Sequence, residues 1–180
     1  MAKDSETLRL LSIPETRKQG FELLVVTYRE ALYYKIRRMV LSHEDANDVL
    51  QNTFIKIWTN LNTFRGQSSL STWLYRIAIN ETLDFIRKQK QADISHYDNE
   101  SSIANRLLAD EFFDGNEAQA LLRQAIAKLP EVQRTVFNLR YYDEMKYSEM
   151  SKMLDTSEGA LKASYHLAVK KIINFFKLRN

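Results

Sequence analysis

Lys162, His166 and Lys170 recur every four residues near the end of the chain, a spacing that places them along one helical face. Leu161, Tyr165, Ala168, Val169, Ile172 and Phe176 form an apolar stripe on a different face of the same stretch. One side packs and the other can meet a polyanion. Ser157 is a suitable N-cap for this helix. Before it come a tight Asp155-Thr156-Ser157 turn and a short helix that points Met150, Met153 and Leu154 inward. Helix, short turn and capped longer helix is the helix-turn-helix layout, whose second helix enters the major groove and offers its N-terminal residues to base edges. Lys162, Ala163 and His166 are placed to reach bases, whereas Lys170 and Lys171 suit phosphates, which fix position without carrying sequence information. The plain alternative is a helical hairpin with a solvated basic face.

A second set of residues points to unpaired nucleic acid. Phe64, Trp73, Tyr75 and Phe85 are interleaved with Arg65, Arg76, Arg87 and Lys88, and bases stack on aromatic rings beside a cationic track for about 1–3 kcal/mol each. Trp73 and Tyr75, taken singly, read first as core residues. Thr72, Arg76, Asn80 and Arg87 line one stripe of the same predicted helix. Catalytic chemistry has no comparable support: there is no nucleophile–base pair and no phosphate loop. Asp45 and Asp48 are explained as first-turn charges favourable to a helix dipole. The absence of cysteine and the wide separation of His43, His96 and His166 argue against a metal site. Neither a catalytic residue, a metal, a cofactor nor a small-molecule substrate is expected, and the chain is not read as an enzyme.

The elements that must position these residues are helices. The 180 residues are 44% hydrophobic and 27% charged with only four Gly and two Pro, which suits one ordinary domain or two small ones. Helical periodicity of Leu24, Tyr28, Ala31 and Leu32 predicts a helix over about Phe21–Arg38. Ser42-His-Glu-Asp45 forms an S-x-x-D capping box that starts a second helix, carrying Ala46, Val49, Leu50, Phe54, Ile57 and Trp58 to about Leu61. A break at 60–68 with Gly66 precedes a third, over about Ser69–Gln89. Further on, helices are predicted over Gln119–Lys128 and from Pro130 to about Tyr142, the latter carrying Val132, Val136, Phe137, Leu139 and Tyr141, ahead of the helix-turn-helix. Net charge divides unevenly: 13 Lys+Arg against 10 Asp+Glu in residues 1–88, 2 against 7 in 89–118, and 11 against 6 in 119–180. Two basic modules flanking an acidic connector are expected to touch a polyanion while the connector does not. The apolar patch from Ile103 to Phe113 within the connector forms a short helix, docks elsewhere or packs on itself. The start of the chain lacks an apolar leader core, and Leu23–Val26 is far short of the ~20 residues that span a bilayer, so a cytoplasmic protein is expected.

Taken in order, Asp45-Ala-Asn-Asp-Val-Leu-Gln-Asn-Thr-Phe-Ile-Lys-Ile-Trp58, Phe64-Arg-Gly, Leu70-Ser-Thr-Trp-Leu-Tyr-Arg-Ile-Ala-Ile-Asn80, Leu129-Pro130 and the Tyr147–Lys171 segment resemble the extracytoplasmic-function (ECF) group of bacterial sigma factors. The resemblance covers about residues 20–89 and 119–176. It implies an all-α fold of two small helical domains: region 2 within 1–89, a flexible acidic linker over 90–118, and region 4 within 119–180. It further implies a subunit that binds core RNA polymerase and directs promoter-specific initiation. Asp45, Asp48, Gln51, Asn52 and Lys56 would grip the polymerase. Asn62, Phe64, Arg65, Ser71, Thr72, Arg76 and Asn80 would capture and hold the melted minus-10 strand. Lys162, Ala163, His166, Lys170 and Lys171 would engage the minus-35 element. Where the family commonly carries Gly-Thr-Val-Lys-Ser-Arg-Leu, this chain has Gly159-Ala-Leu-Lys-Ala-Ser-Tyr. Members of the group are held inactive by an anti-sigma protein, in many cases membrane-bound, which is the further partner implied.

The connector's 29 residues can span about 95–105 Å when extended at ~3.3–3.6 Å per residue, more than the roughly 70 Å of two duplex turns. Both modules can therefore reach separate promoter elements, and tethering multiplies their weak affinities. The rival reading is a free-standing helix-turn-helix regulator that binds duplex DNA without polymerase. Another is a protein-interaction module controlled by sequestration.

Overall fold

The computed structural model describes residues 2–40, 42–92 and 117–178. Among them are eight α-helices and no strand. They fall into two compact units that meet in sequence at Asp93 and Ile94.

The first unit contains α1 (Ala2–Ser12), a 3-10 turn at Pro14–Thr16, α2 (Arg17–Val40), α3 (His43–Asn60), a second 3-10 turn at Leu61–Thr63 and α4 (Leu70–Ala92). Leu24, Leu32 and Ile36 of α2 meet Ala46, Val49 and Ile57 of α3 and Leu70, Leu74 and Ala78 of α4 in one core. The Ser42 hydroxyl accepts a hydrogen bond from the Asp45 amide at 3.3 Å, so the expected cap sets where α3 begins. A cap contributes only about 1 kcal/mol. Burying a Val or Ile contributes ~1.5–3 kcal/mol, so burial of Val49 and Ile57 decides that the helix forms at all. Ala31, expected to face inward, is exposed, because the buried seam of α2 advances by fours through Leu24, Tyr28, Leu32 and Ile36.

Helix α1 was not anticipated from periodicity. Thr7 is fully buried, and Leu8 and Leu11 rest half-buried on the core. The Tyr28 hydroxyl donates to Asp4; burial first, and then this carboxylate, push the phenol above its usual range. Gly20 makes the packing possible, because a Cβ there would lie 2.8 Å from the Leu11 nitrogen and 2.9 Å from the Leu10 Cβ. Gly20→Ala is expected to force α1 away from α2 and to destabilise the protein by about 1–3 kcal/mol, measured by urea unfolding. An unchanged midpoint would contradict this packing.

The second unit contains α5 (Glu117–Ala127), α6 (Glu131–Tyr141), α7 (Tyr147–Leu154) and α8 (Glu158–Lys177). Ala125, Ile126, Leu129 and Phe137 close on Ala168 and Ile172 of α8. Helix α6 packs against both α7 and α8 and buries the consecutive run Thr135–Leu139. Val132 and Tyr141, part of the apolar series this helix carries, are 57% and 51% exposed; they lie beyond the ends of that buried run. Arg134 is half-buried, and desolvation of its guanidinium lowers its pKa; it donates through Nη1 to the carbonyls of Ala127 and Leu129 at 3.3 Å each, satisfying acceptors where α5 ends.

The connector expected over 90–118 lies outside the described residues except for 90–92 and 117–118, which belong to α4 and α5. The Ile103–Phe113 patch lies wholly outside them.

Candidate nucleic-acid interface

In the second unit the turn between α7 and α8 is built as the residue types require. Asp155 takes the left-handed conformation at φ 48°, one that Asp and Asn tolerate better than most residues. Ser157 then caps α8 by accepting from the Ala160 amide at 3.3 Å. Leu161, Ala168 and Ile172 are buried and Tyr165, Val169 and Phe176 half-buried, while Lys162, Ala163, His166, Lys170 and Lys171 are all exposed. The packed stripe is thus on one side and every predicted DNA contact on the other.

Lys162 is more constrained than its sequence position suggests. Its ammonium lies 3.8 Å from the Glu158 carboxylate and 5.6 Å from the centre of the Tyr147 ring. Arg140 approaches the same ring at 5.3 Å and donates through Nη1 to the Met145 carbonyl at 3.2 Å, tying the α6–α7 loop to α6. The Glu158–Lys162 spacing was legible as i, i+4. The meeting of Arg140, Tyr147 and Lys162 was not, because it depends on how α6, α7 and α8 pack.

In the first unit, Asp48, Gln51 and Asn52 are exposed on α3 and Asp45 is half-buried at its start. Lys56 is exposed too, but its ammonium lies 2.7 Å from Glu81 of α4. That hydrogen bond raises the Lys56 pKa. The contribution is present below the ordinary lysine range and lost only as pH rises through the raised value, so it persists at neutral pH. Ile55 and Trp58, which were not picked as surface residues, are 62% and 41% exposed on the same helix.

The segment between α3 and α4 is pinned at several points. Gly66 adopts φ 68° with nothing within 4 Å of a notional Cβ, so backbone conformation rather than crowding calls for glycine there. Asn62 is exposed, and its Oδ1 accepts from Nη2 of Arg17 at 2.9 Å. Phe64 is half-buried and tilts against Trp73 with ring centres 5.3 Å apart. Trp73 and Tyr75 both rest on the core, as their first reading held. Arg65 is exposed. Ser69 caps α4, accepting from the Thr72 amide at 3.1 Å, and its hydroxyl shares hydrogen bonds with Ser71 at 2.9 Å and Thr72 at 2.7 Å. Ser71 and Thr72 therefore serve the cap as well as the surface. Thr72, Arg76, Asn80 and Arg87 are all exposed, with Arg87 held 3.0 Å from Asp84.

One unit thus presents an exposed basic helix face and the other a polar, aromatic-flanked one. Comparison with known proteins places both units in a family. The family description for sigma-70 region 2 matches residues 24–92 and that for sigma-70 region 4 matches residues 119–172. The ECF RNA polymerase sigma factor SigW of Bacillus subtilis is 30% identical over 167 residues, spanning 88% of this chain and 89% of the relative. The chain belongs to the ECF sigma factors. The RNA polymerase sigma-H factor of Pseudomonas aeruginosa is 32% identical over 155 residues, 81% of this chain and 80% of that one. Two solved structures share the ECF fold: the sigma factor RpoE of Bartonella quintana in complex with the anti-sigma factor NepR, at TM-score 0.64 and 18% identity over 90% of this chain and 99% of that one; and CnrH in complex with the cytosolic domain of CnrY, at TM-score 0.61 and 21% identity over the whole of both chains. A sigma factor directs transcription. The free-standing regulator is disfavoured, since it would need the second unit but not a region 2 module. No described helix of this ECF sigma factor is long and apolar enough to cross a membrane.

Proposed function

We propose that this ECF sigma factor binds core RNA polymerase through the exposed face of α3 and divides promoter reading between its two units. Asp48, Gln51 and Asn52 form the polar part of the polymerase contact, with Asp45 at its edge, and the exposed Ile55 and Trp58 supply apolar area beside them. Lys56 contributes there only by exchanging Glu81 for a polymerase acidic group.

The region 2 module, residues 1–89, holds the melted minus-10 strand. Asn62, Phe64 and Arg65 sit at the capture loop, and Ser71, Thr72, Arg76 and Asn80 lie along α4. The region 4 module, residues 119–180, places α8 in the minus-35 major groove, with Lys162, Ala163 and His166 at bases and Lys170 and Lys171 at phosphates. Residues 90–118 connect the two, their acidic character suiting a path through a basic polymerase channel. The protein works in the cytoplasm, where polymerase is, and an anti-sigma protein holds it inactive; the RpoE–NepR complex supports a partner of that kind.

The observation that carries this reading is the exposure of Thr72, Arg76 and Asn80 on α4 together with Lys162, His166 and Lys170 on α8, each set opposite a packed core. Transcription of genomic fragments by core polymerase, with and without the chain, tests it. Discrete start sites that depend on the chain are expected. Tight duplex binding by the chain alone with no stimulation of polymerase would instead establish the regulator.

A further inference from the structure

Arg17 lies before the first residue matched to region 2, residue 24, yet reaches the loop read above as the base-capture segment. Its guanidinium donates from Nη2 to the Asn62 side chain at 2.9 Å, across 45 positions of sequence. The same group lies 5.6 Å from the centre of the Trp58 ring, and that indole packs on Phe21 with centres 4.9 Å apart. The arrangement joins the start of α2, the end of α3 and the loop after it.

The N-terminal elements are what bring Arg17 to this place. Gly20 lets α1 lie directly on α2, and the Thr16 hydroxyl donates to the Leu10 carbonyl at 2.9 Å, closing the turn immediately before Arg17. The Arg17 Nε is buried without a hydrogen bond. An enclosed donor left unmade is unfavourable, a loss that an apolar side chain on Trp58 would avoid. What only arginine supplies is a rigid fork that stacks on an aromatic face and directs a donor at a chosen acceptor. By occupying Asn62 Oδ1, it leaves the Asn62 amide NH2 as the group turned to an incoming base.

We propose that Arg17 is a positioning residue that fixes the orientation of Asn62 and thereby sets base preference in the melted minus-10 strand. The inference rests on the capture-loop reading. It gives α1 and the turn after it a role: they brace a DNA-reading loop from outside the region 2 match.

The test uses the full chain in holoenzyme on templates recovered from genomic fragments by wild-type transcription, pre-melted over the minus-10 region and randomised in the non-template strand. Arg17→Gln and Asn62→Ala should each reduce discrimination among bases at one and the same position, by about five- to tenfold, within the range of one net hydrogen bond. The double variant should lose no more than either single one, because the two residues act as a unit. Arg17→Lys, which keeps the charge and one donor, should recover part of the preference. Thermal unfolding midpoint, measured on the same samples, should stay near wild type. Several outcomes would overturn the proposal: additive losses, an Arg17→Gln variant with unaltered base preference, or a uniform fall in single-strand affinity, which would make Arg17 a phosphate contact. Should Asn62→Ala itself leave discrimination unchanged, the capture-loop reading fails, and the positioning role fails with it.

Discussion

Replacing Asn80 with alanine is expected to reduce open-complex formation by about ten- to a hundredfold, and Arg76→Ala by a similar factor, with affinity for core polymerase within about twofold of wild type. The magnitude follows from the value of a specific polar contact to a base, ~1–3 kcal/mol, where each 1.4 kcal/mol is about tenfold. Both side chains are exposed on α4 while Leu74, Ala78 and Ile79 of the same helix are buried. Truncating them removes surface contacts and leaves the core alone, and such changes usually alter stability by no more than ~0.5 kcal/mol. Permanganate reactivity of unpaired thymines measures opening, and fluorescence titration with core polymerase measures assembly. On pre-melted templates part of the defect should remain if these residues hold the unpaired strand as proposed. Should core affinity fall as far as opening does, the separation between the α3 and α4 surfaces is wrong.

Lys162→Ala is expected to weaken selection of the upstream duplex element by about tenfold or more and to relax preference at one base pair, again within the range of a single base contact. Lys170→Ala with Lys171→Ala should act differently. Phosphate contacts release counterions, and each one lost flattens the logarithmic salt dependence of duplex affinity by about 0.9, so the pair should weaken all sequences alike and lower the slope by nearly 2. Binding of randomised upstream duplexes by holoenzyme over a series of salt concentrations reports both quantities at once. The Tyr147 ring 5.6 Å from the Lys162 ammonium and the Glu158 carboxylate 3.8 Å away restrict where that ammonium can go, and restriction before binding lowers the entropy lost on contact. Loss of base preference in the Lys170/Lys171 pair, with none in Lys162→Ala, would reverse the assignment of the two groups.

Most of the helical architecture was legible because it rests on local chemistry. Ser42 and Ser157 cap α3 and α8 through their own side chains. Apolar spacing marked the buried face of α8 and most of that of α3, Trp58 excepted, and the exposure of Lys162, His166 and Lys170 follows from being off the stripe that holds Leu161 and Ala168. The ordered motifs between Asp45 and Asn80, and again between Tyr147 and Lys171, were enough to indicate the family, since its residues are carried on continuous helices.

What periodicity could not show are arrangements that depend on packing between elements. Helix α1 is short, and its burial depends on the missing side chain at Gly20, which is informative only once α2 lies against it. Val132 and Tyr141 share the apolar series of α6 but lie exposed, because its buried run is set by where α7 and α8 lie. Lys56 was assigned to a partner, and the packing of α3 on α4 brings Glu81 to it. By itself, then, the sequence determined two helical units, most of the faces they bury and the exposed basic face of α8, because caps and 3.6-residue periodicity act within a few residues of one another. Only the tertiary structure decided which polar side chains are already engaged within the protein. Arg17 with Asn62, Lys56 with Glu81 and Tyr147 with Lys162 are joined across tens of residues or between helices, and side chains so separated meet only after the helices have packed.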